Sequence, residues 1–320
     1  MLTGKSGRGR WIRGYRRVPG GVALVCFPHA GGAASYFHPW SASLAPDIEV
    51  LAVQYPGRED RAVEPCVTNI PDLADQIHAA LGPSLPGTFA FFGHSMGAIL
   101  AFEVARRIAR EEGRGPAHLF VSGRSAPPRH RHHNLHRAGN PAFIAELRSL
   151  GGTDPRILQD SEVLELILPV MRGDYTASET YQFEPGPPLS CDITAMTGDR
   201  DALNTIEEAA AWSAHTTGAF NLRVYPGGHF YLDDCRTQVL AMISSALVRQ
   251  NSHRSNGSLC TCPASPDTRR GFSRPPGDQR VGPAQPFQAA GALRADASHR
   301  DLQRRADLRI RVRRVGQQHG

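Results

Sequence analysis

Ser95 stands in Gly93-His94-Ser95-Met96-Gly97, a G-x-S-x-G arrangement that suits a serine used as a nucleophile in acyl transfer. The apolar run Phe89–Phe92 leads into it and a helical pattern opens at Gly97, so the serine is expected on a tight strand-to-helix turn. Glycines on either side leave room for a backbone that a Cβ would crowd. The N-terminus of the following helix favours negative charge there. A hydroxyl is a poor nucleophile until a base accepts its proton. His229, in Tyr225-Pro226-Gly227-Gly228-His229-Phe230, lies between the last strand and the last helix and is the base selected. His118 precedes a strand, His130, His132, His133 and His136 crowd a polar loop, and His94 is expected to point away from the turn. A carboxylate must then hold the imidazole in its working tautomer. Asp199 and Asp201 share one loop after Ile193–Met196, and residue type and position alone leave both in play.

Acyl transfer also needs donors for the negative oxygen of its intermediate. The backbone N–H of Met96 is one by position. The second is expected from Pro28-His29-Ala30-Gly31-Gly32, where small residues after the strand Val22–Phe27 let the backbone approach, with Ala30 the residue of interest. The rival reading of that loop is a phosphate-binding turn, but neither G-x-G-x-x-G nor a Walker lysine is present. The six cysteines, Cys26, Cys66, Cys191, Cys235, Cys260 and Cys262, have no disulfide or zinc spacing. Cys260 and Cys262 are a weak metal signal in a polar tail. No cofactor and no metal are expected.

These residues have to be positioned by a larger frame. Apolar strand-like runs at Val22–Phe27, Ile48–Val53, Phe89–Phe92, Leu119–Val121, Ile193–Met196 and Leu222–Tyr225 alternate with helical patterns at Ile70–Leu81, Gly97–Glu112, Thr205–His215 and Asp233–Val248. The alternation predicts an α/β fold with a mainly parallel sheet flanked by helices. Residues 126–190 break the rhythm with helical periods at Pro141–Leu150, Asp160–Arg172 and Gly173–Tyr181, and are expected to form a helical lid. The domain reading is a basic segment over 1–20, the catalytic domain over 21–250, and a disordered, dispensable Arg/Pro/Gly-rich tail over 251–320.

The net charge of +6 conceals an opposition along the chain. Residues 1–20 carry six Lys or Arg and no acid, and 251–320 carry thirteen Arg against five acids, whereas 21–250 hold 17 bases against 25 acids. A nucleic-acid role would rest on the two ends, which lack interleaved aromatics or a groove-entering helix. No run is long and apolar enough for a membrane span, and residues 1–20 lack the features of a secretory signal. Reduced thiols fit a cytoplasmic location. The run Arg124–Arg137 is the one dense basic patch of the acidic body, and it is expected to border the mouth of the site.

With these pieces in order, residues 18–245 resemble the type II thioesterases, the free-standing editing enzymes of polyketide and nonribosomal peptide synthesis. The resemblance is carried by Phe27-Pro28-His29-Ala30-Gly31-Gly32, Tyr55-Pro56-Gly57-Arg58-Glu59, the serine pentapeptide, Leu147–Thr153, Tyr181–Pro188 and Arg223–Leu232. It implies an α/β-hydrolase fold, whose order of nucleophile, acid and base matches Ser95, Asp201 and His229. It implies that Asp201 rather than Asp199 is the acid, that Ala30 and Met96 are the oxyanion donors, and that acyl-loaded carrier proteins are the partners. A proline usually follows the acid in that family and Ala202 stands here. An acidic carrier would be steered by the Arg124–Arg137 run. A lipase-like esterase of small oxygen esters would use the same triad, and a catalytically silent binding module is disfavoured because no triad member is missing.

Overall fold

A computed structural model describes residues 7–44, 46–82, 85–128 and 134–257. Seven strands form one sheet: β1 (Ile12–Gly14), β2 (Val22–Phe27), β3 (Ile48–Val53), β4 (Phe89–His94), β5 (His118–Ser122), β6 (Asp192–Gly198) and β7 (Phe220–Tyr225). Their order is β1-β3-β2-β4-β5-β6-β7, and every pairing except that of β1 is parallel. Parallel strands need crossovers, which place helices on both faces. Helices α3 (Ile70–Leu81) and α4 (Met96–Glu112) supply one face, packing Ile77, Ile99 and Val104 against Ala23, Val25 and Phe27. Helices α2 (His38–Ser43) and α9 (Arg236–Gly257) supply the other, packing Trp40, Val239 and Ile243 against Val22, Leu24 and Cys26. Successive residues of β2 thus enter opposite cores, which is why it reads as an unbroken apolar run.

The sheet begins earlier than the sequence reading placed it. A short helix, α1 (Gly7–Trp11), feeds β1, which pairs antiparallel with β3 through Ile12↔Val53. The Arg61 guanidinium lies 4.0 Å from the Trp11 ring centroid, and Trp11 O accepts from Gln54 N at 2.7 Å. Three residues with an arginine at their centre are too short for a periodicity, so pairing rather than local pattern makes this strand.

Between β5 and β6 lie α5 (Asn140–Leu150) and α6 (Ser161–Glu179). Phe143, Leu147, Leu158 and Leu168 give this region a small apolar core of its own. Asp160 caps α6, its carboxylate accepting from the N–H groups of Glu162 and Val163. The sequence reading divided this helix at Gly173, but α6 is continuous. Gly173 serves close packing instead, since a Cβ there would lie 3.0 Å from Cys66 Cβ. The expected helix Thr205–His215 is α7 (Ile206–Ala210) followed by a tighter helical turn over Ala211–His215. Asp233–Val248 is divided between α8 (Tyr231–Asp234) and α9. Sheet, lid and site belong to one compact unit, which takes in the described residues as far as Arg254 in α9. The tail beyond Gly257 lies outside the described residues.

After β2 the chain moves to β3 on one side and then to β4 on the other. That reversal opens a crevice beyond the carboxyl ends of β2 and β4, the customary ligand position in open α/β sheets. The loops leaving these two strands carry Ala30 and Ser95.

Candidate active site

Ser95 is the first residue after β4 and adopts φ 55°, ψ −118°, a conformation L-residues seldom take. Packing on both sides enforces it. A Cβ on Gly93 would overlap the Gly97 carbonyl, and one on Gly97 would overlap the Phe27 carbonyl of β2. The Ser95 N–H donates to Ser122 O at 2.8 Å, fastening the turn to the end of β5. Met96 opens α4, so its N–H is among those with no intrahelical acceptor. In the facing loop the Gly31, Gly32 and Ala34 N–H groups donate to Asp174, His29 and Gln54 respectively. The Ala30 N–H has no acceptor recorded among the described residues.

His229 follows β7 with its side chain 3% exposed, and its Nδ1 lies 2.9 Å from Asp201 Oδ2 and 3.1 Å from Oδ1. The Asp201 side chain is fully buried, and Oδ1 also accepts from Leu203 N at 2.9 Å. Asp199 turns elsewhere: its Oδ1 accepts from Gly227 N at 2.9 Å, and its side chain is half exposed beside Arg200. The two carboxylates that residue type and position alone left open are therefore separated by direction. Gly198 helps, because a Cβ there would overlap the Gly227 and Gly228 carbonyls of the His229 loop.

Ser95, His229 and Ala30 line one cavity of about 370 Å³, with Gly123, Arg124 and Tyr175 among its other walls. Its neighbour, about 400 Å³, shares Ala30, Leu150 and Tyr175 and is walled by apolar residues such as Ile167, Val170 and Met171. No direct hydrogen bond joins the Ser95 hydroxyl to His229 among the described residues. Such contacts commonly tighten only with substrate in place.

Three features here escaped the sequence reading. Gly123, φ 58°, directly follows β5 at a point where a Cβ would come within 2.6 Å of His94 Cε1 and 3.2 Å of His229 Cε1. His94 does not point away from the site: its ring centroid is 5.0 Å from that of His229. Its Nδ1 is 3.0 Å from Ser122 Oγ, which in turn is 2.6 Å from the Tyr231 hydroxyl. Burial, then the neighbouring His229 and His29, hold His94 well below the usual histidine range. Burial likewise pushes His29 down to about 3, leaving neutral imidazoles around His229. The third is Asp174 on α6, which reaches the Ala30 loop.

The basic run Arg124–Arg137 is not one surface. Arg124 is buried enough that desolvation lowers it to about 10, and its Nη1 donates to Ser178 Oγ at 2.9 Å inside the Ser95 cavity. The backbone N–H groups of Leu135 and His136 donate to the Glu179 carboxylate. Arg137 is exposed, while Arg129, His130, Arg131, His132 and His133 lie outside the described residues.

Residues 22–247 match the family model described as "Thioesterase domain". The chain is 48% identical over 242 residues to "Thioesterase PikA5" of Streptomyces venezuelae, covering 75% of this chain and 86% of that one. The solved type II thioesterase BorB of a borrelidin biosynthetic cluster shares 47% identity at a TM-score of 0.70, covering 74% of this chain and 97% of the other. RedJ, from the prodiginine pathway of Streptomyces coelicolor, shares 39% at 0.68, covering 71% and 85%. The matched span contains every strand from β2 to β7, and the chain belongs to the thioesterase family, in its type II branch, as a hydrolase of thioesters on an α/β-hydrolase fold.

Proposed function

We propose that Ser95, His229 and Asp201 are the catalytic triad, that the Ala30 and Met96 N–H groups form the oxyanion hole, and that the substrate is an acyl group on the phosphopantetheine thiol of a carrier protein. The observation that carries the triad is the buried His229–Asp201 contact at 2.9 Å, at the wall of the cavity that Ser95 also lines. With Nδ1–H donated to Asp201, Nε2 keeps its lone pair and is the base.

Ser95 Oγ attacks the thioester carbonyl carbon while His229 Nε2 accepts the hydroxyl proton. The carbonyl oxygen becomes an oxyanion that takes hydrogen bonds from Ala30 and Met96 N–H. Collapse breaks the C–S bond, His229 gives its proton to the departing sulfur, and the acyl group remains on Ser95. Water then attacks this ester, giving one proton to His229. The second collapse returns that proton to Ser95 Oγ and releases the carboxylic acid.

The carrier-protein substrate draws support from the relatives, whose names tie them to borrelidin and prodiginine biosynthesis. Removal of stalled acyl groups from such an assembly line is the role that follows. Four free cysteines and the lack of any helix long and apolar enough to cross a membrane, among the described residues, fit the cytoplasmic setting we assign. Incubating the protein with an acyl-loaded carrier protein and following the carrier by mass tests this. The expected products are the free thiol carrier and the acid, with hydrolysis favoured over that of a small oxygen ester. Preference for the oxygen ester would overturn the substrate assignment and leave the triad standing.

A further inference from the structure

The Ala30 loop is held from a direction the catalytic mechanism does not use. Asp174, on the lid helix α6, is 1% exposed. Its Oδ2 accepts the Gly31 N–H at 2.7 Å, and its Oδ1 accepts from Arg58 Nη2 at 2.8 Å. Arg58, 7% exposed, donates through Nη1 to Gly32 O at 3.3 Å, so one ion pair grips the loop by a donor and an acceptor. One helical turn before Asp174, Met171 lies against Gly31, where a Cβ would come within 2.8 Å of its Cε. From the other side Gln54 Oε1 accepts from Ala34 N at 2.8 Å, Gln54 Nε2 donates to Arg58 O at 3.1 Å, and the Tyr55 hydroxyl donates to Pro28 O at 3.1 Å.

A buried ion pair on a flat stretch of core would be poor evidence of purpose, because desolvation offsets much of its attraction. This one joins a lid helix to a loop whose preceding N–H, that of Ala30, has no acceptor among the described residues. Gly31 sits at φ 75°, where its peptide plane is not fixed by ordinary backbone preference. The Asp174 carboxylate supplies the missing constraint on the Ala30–Gly31 peptide, and the Gly32 N–H bond to His29 O ties in the His29–Ala30 peptide that carries the Ala30 N–H.

We infer that Asp174, paired with Arg58, is a positioning residue: from the lid helix it sets the backbone of the Ala30 loop so that the Ala30 N–H is pre-aimed at the oxyanion. The inference rests on the reading of Ala30 N–H as an oxyanion donor. It predicts a loss in the transition state alone, since ground-state binding does not require that aim.

The test uses the full chain, a small acyl-N-acetylcysteamine thioester, and two inhibitors. One is a trifluoromethyl ketone, whose adduct with Ser95 carries an oxyanion; the other is an uncharged amide analogue of the substrate. For Asp174→Ala we expect kcat to fall about 10- to 100-fold, less than complete removal of a donor, with KM changed less than about threefold. Ketone affinity should fall in proportion to kcat/KM while amide affinity holds. Asp174→Asn, which keeps an acceptor for Gly31 N–H, should recover part of the loss, and Arg58→Lys should lose less than Arg58→Ala. Titration of active sites with a serine-reactive phosphonate measures the folded fraction. If Asp174→Ala does not fold, Asp174→Asn and Arg58→Lys carry the same comparison.

A kcat within twofold of wild type overturns the inference, as does a loss explained by fewer titratable sites. Equal weakening of both inhibitors overturns it too. Should wild type bind the ketone no tighter than the amide, the oxyanion reading itself has failed. If wild type prefers the ketone and the Asp174 variants keep that preference, only the positioning role has failed.

Discussion

The two walls of the site are built on opposite plans. On the sheet side, Ser95, Asp201 and His229 each sit on a short turn just beyond β4, β6 and β7, and the strand registers fix their separation. On the lid side, α5 and α6 carry a small apolar core of their own, and α6 is tied to the body through Asp174, Ala177 and Ser178. The division runs through α6 itself. Its first half is largely solvent-facing, with Leu166 75% exposed, whereas Gly173, Asp174, Ala177, Ser178 and Glu179 of its second half are buried. Fixed geometry on one side and an anchored helical wall on the other suit the proposed site, which has to admit an acyl substrate yet keep its reacting atoms in place.

The sharpest way to break this contrast is on the sheet side. Ser95→Ala and His229→Ala should each reduce turnover by roughly 10³-fold or more, with the double variant much less affected than the product of the two. Activity of either within about tenfold of wild type, measured with an acyl-N-acetylcysteamine, would remove the triad. Next in size is the choice of carboxylate. Asp201→Asn should cost at least about 10²-fold more in kcat than Asp199→Asn, because only Asp201 touches the imidazole. The reverse ranking would mean that the His229 loop rearranges with substrate.

How much of this the sequence could disclose follows the same line. The turn at Ser95 is announced locally: glycines at fixed offsets, an apolar strand before it and a helix after it. Asp201 required either a resemblance or a structure, since Asp199 offers the same group two residues earlier. The Asp174–Arg58 pair spans 116 residues, and Gly123 matters because imidazoles from the end of β4 and from the loop after β7 pass over it. No local pattern encodes such meetings. Helix α6 was misdivided for a related reason: glycine is a sound breaker on average, but here the demand of Cys66 for space outweighs propensity.

The lid can be probed by its two faces. Leu168, 9% exposed in the lid core, should cost about 2 to 3 kcal/mol when changed to Ala. Leu166→Ala, at 75% exposure, should stay within about 0.5 kcal/mol. Denaturant midpoints on the full chain measure both. Equal costs would show that the first half of α6 is covered in solution, and that the contrast within the helix is smaller than drawn.

The smallest expected effect concerns the strain at Ser95, the proposed nucleophile. Ser95 holds φ 55°, ψ −118°, outside the regions an L-residue prefers, at a cost of about 1 to 3 kcal/mol. Glycine adopts such angles freely but loses about 0.5 to 1 kcal/mol more on folding through its greater freedom when unfolded. The hydroxyl has no recorded protein hydrogen bond to lose among the described residues. Ser95→Gly should therefore be inactive yet more stable, by about 1 kcal/mol, or roughly 2 to 4 °C in Tm for a domain of this size. Ser95→Ala keeps the Cβ and hence the strain, so it should show little of that gain. Comparing the two separates backbone relief from loss of the hydroxyl. If both variants are stabilised equally, the cost at this position lies in the hydroxyl and its surroundings. If neither is, the turn stores no strain, and its sharpness follows from Gly93 and Gly97 alone.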